Sequence, residues 1–197
     1  MTKQVQDFII LDSIPYALMG YRKNINERPT LKIGCRKKDI FDPAQLGFVL
    51  RRSNSANLSS YFIELAIIND MLVLNKLTID SANSEHVLVG NVRPQECADY
   101  GHVYSDLNIN LVNVSGTLVA CKDYKYKIAY VTYPTIDYFN TILAIRVLEG
   151  CVKCVDDWSD SIHKMIASNN VNKVDDLQKA YENLFAMAVA SRDDGLS

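Results

Sequence analysis

Two groups of side chains in this sequence have the residue types that chemistry requires. The stretch Glu96-Cys97-Ala98-Asp99-Tyr100-Gly101-His102-Val103-Tyr104-Ser105-Asp106 gathers a thiol, an imidazole and several carboxylates. Cys97, His102 and Asp99 there could serve as nucleophile, base and orienting group, because a thiol attacks as thiolate and its base needs a fixed tautomer. A five-residue separation of Cys97 and His102 in a loop enforces no such geometry, and loops collect polar residues for ordinary reasons. The second group, Cys151-Val152-Lys153-Cys154, has the spacing of a zinc knuckle or a redox pair. A redox pair belongs at a helix N-terminus and a knuckle needs a second ligand pair, whereas Cys35, Cys97 and Cys121 stand singly. On a regular strand, residues three apart also point to opposite faces. There is no glycine-rich phosphate loop, paired-carboxylate motif or GxSxG elbow, and nothing in the sequence asks for a cofactor or a metal.

A third candidate is a surface. Residues 1–60 hold ten Lys/Arg against five Asp/Glu, while the remaining 137 hold eleven against eighteen. The cations that could meet a partner are Arg22, Lys23, Arg28, Arg36, Lys37, Lys38, Arg51 and Arg52, with Lys32 among them. Such a segment suits an acidic protein surface, and the bland alternative is a solvated face that balances the acidic remainder. A sequence pI near 5.9 argues against nucleic acid as the partner. Tyr124, Tyr126, Tyr130, Tyr133 and Tyr138, interleaved with Lys122, Lys125 and Lys127, could stack bases on a sheet, but tyrosine is equally a strand and interface residue.

Composition sets the frame for these groups. Hydrophobic residues at 48% and charged residues at 22% suit one globular domain over 1–197, with a β-rich portion (1–155), a helical portion (156–192) and a short tail (193–197). No apolar run reaches the roughly 18 residues of a spanning helix, and Met1 to Asp7 lacks the apolar core of a signal peptide. Five cysteines at irregular spacing fit a reducing compartment, so the expected location is the cytoplasm, without a membrane partner.

The elements that must position these groups are hairpins. Tyr61 to Ile68 and Met71 to Ile79 are dense in apolar and β-branched residues and flank Asn69-Asp70, whose types tolerate the positive φ of a two-residue primed turn. Continued regularly, that hairpin puts Ile67/Leu72, Leu65/Leu74 and Ile63/Lys76 on one face and Ala66/Val73, Glu64/Asn75 and Phe62/Leu77 on the other. Both faces are apolar near the turn, so the hairpin should lie centrally in a strongly curved sheet or be covered on both sides. Phe8 to Leu11 and Ile14 to Met19 read as a hairpin turned by Asp12-Ser13, with Pro15 pointing to an edge strand. Phe139 to Val147 and Cys151 to Val155 form another, around a three-residue Leu148-Glu149-Gly150 connection with a bulge. From Asp156 the period turns helical: Trp158, Ile162, Met165 and Ile166 predict one helix, and Val174, Leu177, Tyr181, Leu184, Phe185 and Ala188 a second. Strands followed by helices give an α+β class: a strongly curved, mainly antiparallel sheet or partly open barrel packed by one or two C-terminal helices.

The pattern Tyr61…Leu65-x-Ile67-x-Asn69-Asp70-x-Leu72-x-Leu74-x-x-Leu77 resembles a hairpin of small bacterial β-rich accessory proteins, in which Tyr-x-x-x-Trp-x-Ile runs into Asn/Asp-x-x-Leu-x-Leu. Ile10…Asp12…Tyr16, Val114-Ser-Gly116-x-Leu118 and Glu149-Gly150 are similar to that group's other landmarks, in the same order. The usual tryptophan is replaced by Ala66 or its neighbour Leu65, and the tail from Asp156 lies outside the resemblance. It implies a single-domain cytosolic accessory protein of a group in which some members are suspected immunity partners for toxins, with no catalytic residues to carry over. The expected function is therefore a non-enzymatic interaction module, most concretely an immunity protein that neutralises a cognate toxin with an acidic surface. A ligand-binding or hydrolytic β-barrel using the 96–106 loop and a nucleic-acid binder using the basic segment are the alternatives.

Overall fold

The computed structural model describes residues 7–23, 37–51, 60–98, 101–125 and 136–168. Its strands are β1 (Phe8–Leu11), β2 (Ile14–Arg22), β3 (Tyr61–Ile68), β4 (Met71–Ile79), β5 (Gln95–Cys97), β6 (Gly101–Tyr104), β7 (Ile109–Asn110), β8 (Gly116–Tyr124), β9 (Phe139–Leu148) and β10 (Cys151–Asp157). The helices among the described residues are short: α1 (Lys37–Ile40), α2 (Ser159–Ser168) and three 3₁₀ turns.

Three two-residue turns build most of the sheet, and each has both central residues at positive φ: Asp12 and Ser13 (50°, 65°), Asn69 and Asp70 (50°, 60°), Glu149 and Gly150 (50°, 77°). Those angles match the right-handed twist of the flanking strands, which is why such pairs make tight hairpins. The third turn differs from expectation. Leu148 pairs directly with Cys151, so the connection is Glu149-Gly150 alone, and the bulge lies further along, between Val152 and Cys154.

The strands run in the order β10-β9-β8-β2-β1-β3-β4-β6-β5, with β7 also on β4. Among the described residues every pairing is antiparallel except β1 with β3. β10 returns to meet β4 at one residue pair, Cys151 with Met71, which closes the sheet into a ring-like arrangement that is not a barrel. Beyond that pair, β7 and then β6 occupy the same side of β4. The described residues are thus mainly β, and the residues of the second expected helix lie outside them. β2 is an interior strand, contrary to the reading from Pro15. Its pairing with β8 starts at Ala17, so the proline lies beyond the ladder it could not have joined.

Alternation along the strands splits the apolar residues into two clusters. Leu18, Leu118, Ala120, Leu143 and Ile145 face inward with Ile9, Leu65, Leu72 and Tyr104, whereas Ala17, Met19, Val119, Cys121, Ile142 and Ala144 face outward under Trp158 and Ile162 of the α2 region. α2 is sewn to β9: Trp158 N–H donates to the Ile142 carbonyl (2.9 Å), Ile142 N–H donates to Ser159 Oγ (3.0 Å), and His163 Nε2 lies 3.0 Å from the Phe139 carbonyl.

One irregularity keeps the central hairpin amphipathic. Leu65 pairs with Leu74 as expected, but Glu64 pairs with Lys76, leaving Asn75 as an extra residue on β4. Regular pairing would turn Lys76 inward beside Ile63. The bulge shifts parity instead, so that Leu72, Leu74, Leu77 and Ile79 all face the core.

Candidate functional site

The structure separates Cys97 from His102. Cys97 on β5 lies opposite Gly101, while His102 on β6 lies opposite Glu96, so the thiol and the imidazole project from opposite faces of that ladder. Asp99 lies outside the described residues. The partner of His102 is one the sequence did not suggest: its Nδ1 is 2.6 Å from Ser84 Oγ. Ser84 begins a 3₁₀ turn (Ser84–His86) and is 1% exposed. Its hydroxyl has one proton and a second acceptor nearby, the Ser81 carbonyl at 3.2 Å. Tyr104, also fully buried, holds the same turn through the Ser84 (2.8 Å) and Val87 (2.9 Å) carbonyls, and burial pushes its hydroxyl up to about 12. A separation of eighteen residues between Ser84 and His102, one in a loop, leaves no motif in the chain.

The basic segment is divided. Lys37 is a correction to its reading as a surface cation, because it is 5% exposed. Its Nζ lies 3.4 Å from both oxygens of buried Asp7, donates to the Tyr61 carbonyl at 2.5 Å and sits over the Tyr61 ring. Asp7 Oδ1 also accepts the Ile63 amide (2.9 Å). Burial pushes the Asp7 carboxyl up and the Lys37 ammonium down, and each partner's charge opposes the shift of the other. The pair ties α1 to the starts of β1 and β3 and is structural. Lys23, Lys38 and Arg51 are exposed and Arg22 is half-buried. Arg28, Arg36 and Arg52 lie outside the described residues, as do Tyr126, Tyr130 and Tyr133.

The cysteine pair on β10 is also rearranged. The bulge at Lys153 cancels the expected alternation, so Cys151, opposite Leu148, and Cys154, opposite Arg146, share the outer face. Cys154 Sγ accepts from Arg146 Nε (2.9 Å), and Arg146 Nη2 is 3.6 Å from Asp156. Burial raises the Cys154 thiol, with the arginine opposing. Among the described residues no group of three or more His, Cys, Asp or Glu could hold a metal ion. No helix among them is long and apolar enough to cross a membrane.

An apolar surface row lies where the ring closes. Ile68 pairs with Met71, Met71 with Cys151 and Cys151 with Leu148, and directly opposed residues share a face. Ile67, Leu72, Val147 and Val152 pack on the inner core, so this row of four faces outward. Ile68 is 41% and Leu148 54% exposed. At about 4.8 Å per strand, the row is roughly 15 Å long. Leu72 N–H donates to the Gly150 carbonyl (2.8 Å) and Val152 N–H to the Asp70 carbonyl (2.7 Å), which makes Met71 and Cys151 a close, non-hydrogen-bonded pair. Their sulfurs touch at 3.4 Å. Asp70 and Glu149, both exposed in the turns, border the row. Exposed Val112 adjoins it, its backbone lying against Gly150. The residues that flank tight turns were visible in the sequence, but their meeting across the seam was not.

Comparison with models of known protein families, with curated proteins and with solved structures found no match.

Proposed function

We propose that this chain is a non-enzymatic protein-interaction module whose docking surface is the apolar row across the seam. The observation that carries this reading is the exposure of Ile68 and Leu148 at the two ends of one unbroken row on a four-strand surface. Exposed aliphatic side chains grouped on rigid strands, with charged turns at the margin, form the kind of patch that desolvates on binding. In its most concrete form the module is an immunity protein that holds a cognate toxin, supported by the resemblance of its hairpins to those of bacterial accessory proteins. The exposed cations Lys23, Lys38 and Arg51 would then steer an acidic partner and chiefly raise the rate of encounter.

Co-expression with the product of an adjacent gene, followed by affinity capture, tests the proposal. Ile68→Asp and Leu148→Asp should each abolish capture, and Lys23→Glu with Lys38→Glu should slow association and flatten its salt dependence. Lys37 is left out of that set because reversing it would break the fold. A second reading, a hydrolytic enzyme, is favoured by the Ser84 Oγ to His102 Nδ1 contact. Turnover of an ester or amide substrate that disappears in Ser84→Ala, with no captured partner, would replace the first reading by the second.

A further inference from the structure

A second feature of β10 is independent of the seam row. Cys151 is its only residue paired with β4, after which β4 continues under β7 and β6 while β10 runs on to Asp157 with β9 on one side. The Trp158 amide donates to the Ile142 carbonyl, which sets the alternation along this stretch. Cys154 and Asp156 turn their backbone groups toward β9, and Val155 and Asp157 turn theirs away. No backbone bond among the described residues meets Val155 or Asp157 on the outer side.

Among the described residues no strand covers Val155 on that side. It lies opposite Ile145, an inner-core residue, and so belongs to the inward face, yet it is 40% exposed. Its neighbours two positions away are Lys153 and Asp157, both exposed, of opposite charge. Asp157 is a fixed anion: its carboxylate accepts the Ser159 amide (2.9 Å) and hydroxyl (2.5 Å), which hold its pKa below the usual carboxylate value.

We propose that the free edge of β10 pairs with β10 of a second copy of this chain, antiparallel, about a two-fold axis through Val155. In that register Val155 meets Val155 of the second copy and exchanges backbone hydrogen bonds with it, and each Lys153 lies opposite the other chain's Asp157. The arrangement is isologous, so one set of residues satisfies both sides. The edge of β10 gains a partner strand, and two valines cover the exposed inward rim. Because the pairing spans only Lys153 to Asp157, it is a small interface, and dissociation constants of about 10–100 µM are expected.

Sedimentation equilibrium of the full chain from about 5 to 300 µM provides the test, read together with hydrogen exchange. The chain should shift from monomer toward dimer, and exchange at the Val155 and Asp157 amides should slow as concentration rises. Val155→Lys, which sets like charges against each other on the axis, should leave a folded monomer. Lys153→Glu should weaken the dimer at least tenfold. Val155→Pro, which removes the donor on the axis, should also be monomeric. A chain that stays monomeric at 300 µM overturns the proposal, and so does a dimer that survives Val155→Lys or that is broken instead by Leu148→Asp.

Discussion

Replacing Lys37 by methionine isolates the buried contact between Lys37 and Asp7. Methionine keeps much of the apolar stem but removes the ammonium that lies 3.4 Å from Asp7 and donates to the Tyr61 carbonyl at 2.5 Å. The variant therefore leaves the buried Asp7 carboxylate with the Ile63 amide but without the ammonium, and removes the lysine's donation to the Tyr61 carbonyl. Removing one partner of a buried pair costs about 3–5 kcal/mol. In a chain of this size that lowers Tm by about 10 °C or more. The sign of the pH dependence follows from Asp7, whose folded-state pKa is already raised above 3.8 and which Lys37 holds down. Without Lys37 it rises further. The penalty should thus be full at neutral pH, where the buried carboxylate is charged or must take up a proton, and its proton-linked part should shrink as pH falls toward 3.8 and vanish below it, where Asp7 is protonated in both states. Urea unfolding followed by circular dichroism at pH 7 and pH 4.5 measures both effects. The double variant Asp7→Leu, Lys37→Met should recover most of the loss, because an apolar pair removes both desolvation costs. A Lys37→Met protein within 1 kcal/mol of wild type at pH 7, or equally destabilised at both pH values, would refute the reasoning.

Gly150→Ala should open the seam, since a Cβ there would lie 2.8 Å from the Leu111 carbonyl at a φ of +77°; faster exchange of the Leu72 and Val152 amides would report it. Deleting Asn75 should be tolerated at a cost of about 1–2 kcal/mol in urea unfolding, because removing the bulged residue leaves every core side chain on its face and chiefly costs the bond from Leu107 N–H to the Asn75 carbonyl. Ser159→Ala should raise the Asp157 pKa toward its ordinary value, followed by NMR titration; the stability from that capping contact is present above pH 3.8 and lost as pH falls through the depressed folded-state value. Cys121, buried and with its thiol pushed up by burial, should react with a thiol reagent only on unfolding, well after half-buried Cys97 and Cys151.

What the sequence revealed was local. Asn69-Asp70 and Asp12-Ser13 announce their turns because two adjacent residues decide a turn's backbone, and the adjoining apolar runs then fix strands on either side. The bulge at Asn75 was also written in the chain. Leu72 and Leu74 share one parity, Leu77 and Ile79 the other, and two polar residues stand between them. A regular continuation of the hairpin overlooked that change. Lys37 could not be read correctly, since a lysine among other cations is a surface residue until Asp7 and Tyr61, distant by 30 and 24 positions, are brought to it. The same holds for the candidate sites. Spacing placed Cys97 and His102 together, but hairpin pairing put them on opposite faces, and the contact His102 makes is with a serine from another loop.

The closure between Met71 and Cys151 joins residues eighty positions apart, whereas the three hairpins that lead to it each turn within two residues. Hairpins form in about 1–10 µs, while bringing distant strands together must first overcome the entropy of a long loop. The ring should therefore close last on the folding path. Until it does, the starts of β4 and β10 are left unpaired on the seam side of molecules that are otherwise largely assembled, and two such molecules can complete each other's ring instead of their own. Refolding yield should accordingly fall with protein concentration, and domain-swapped species should accumulate in competition with the single-chain ring.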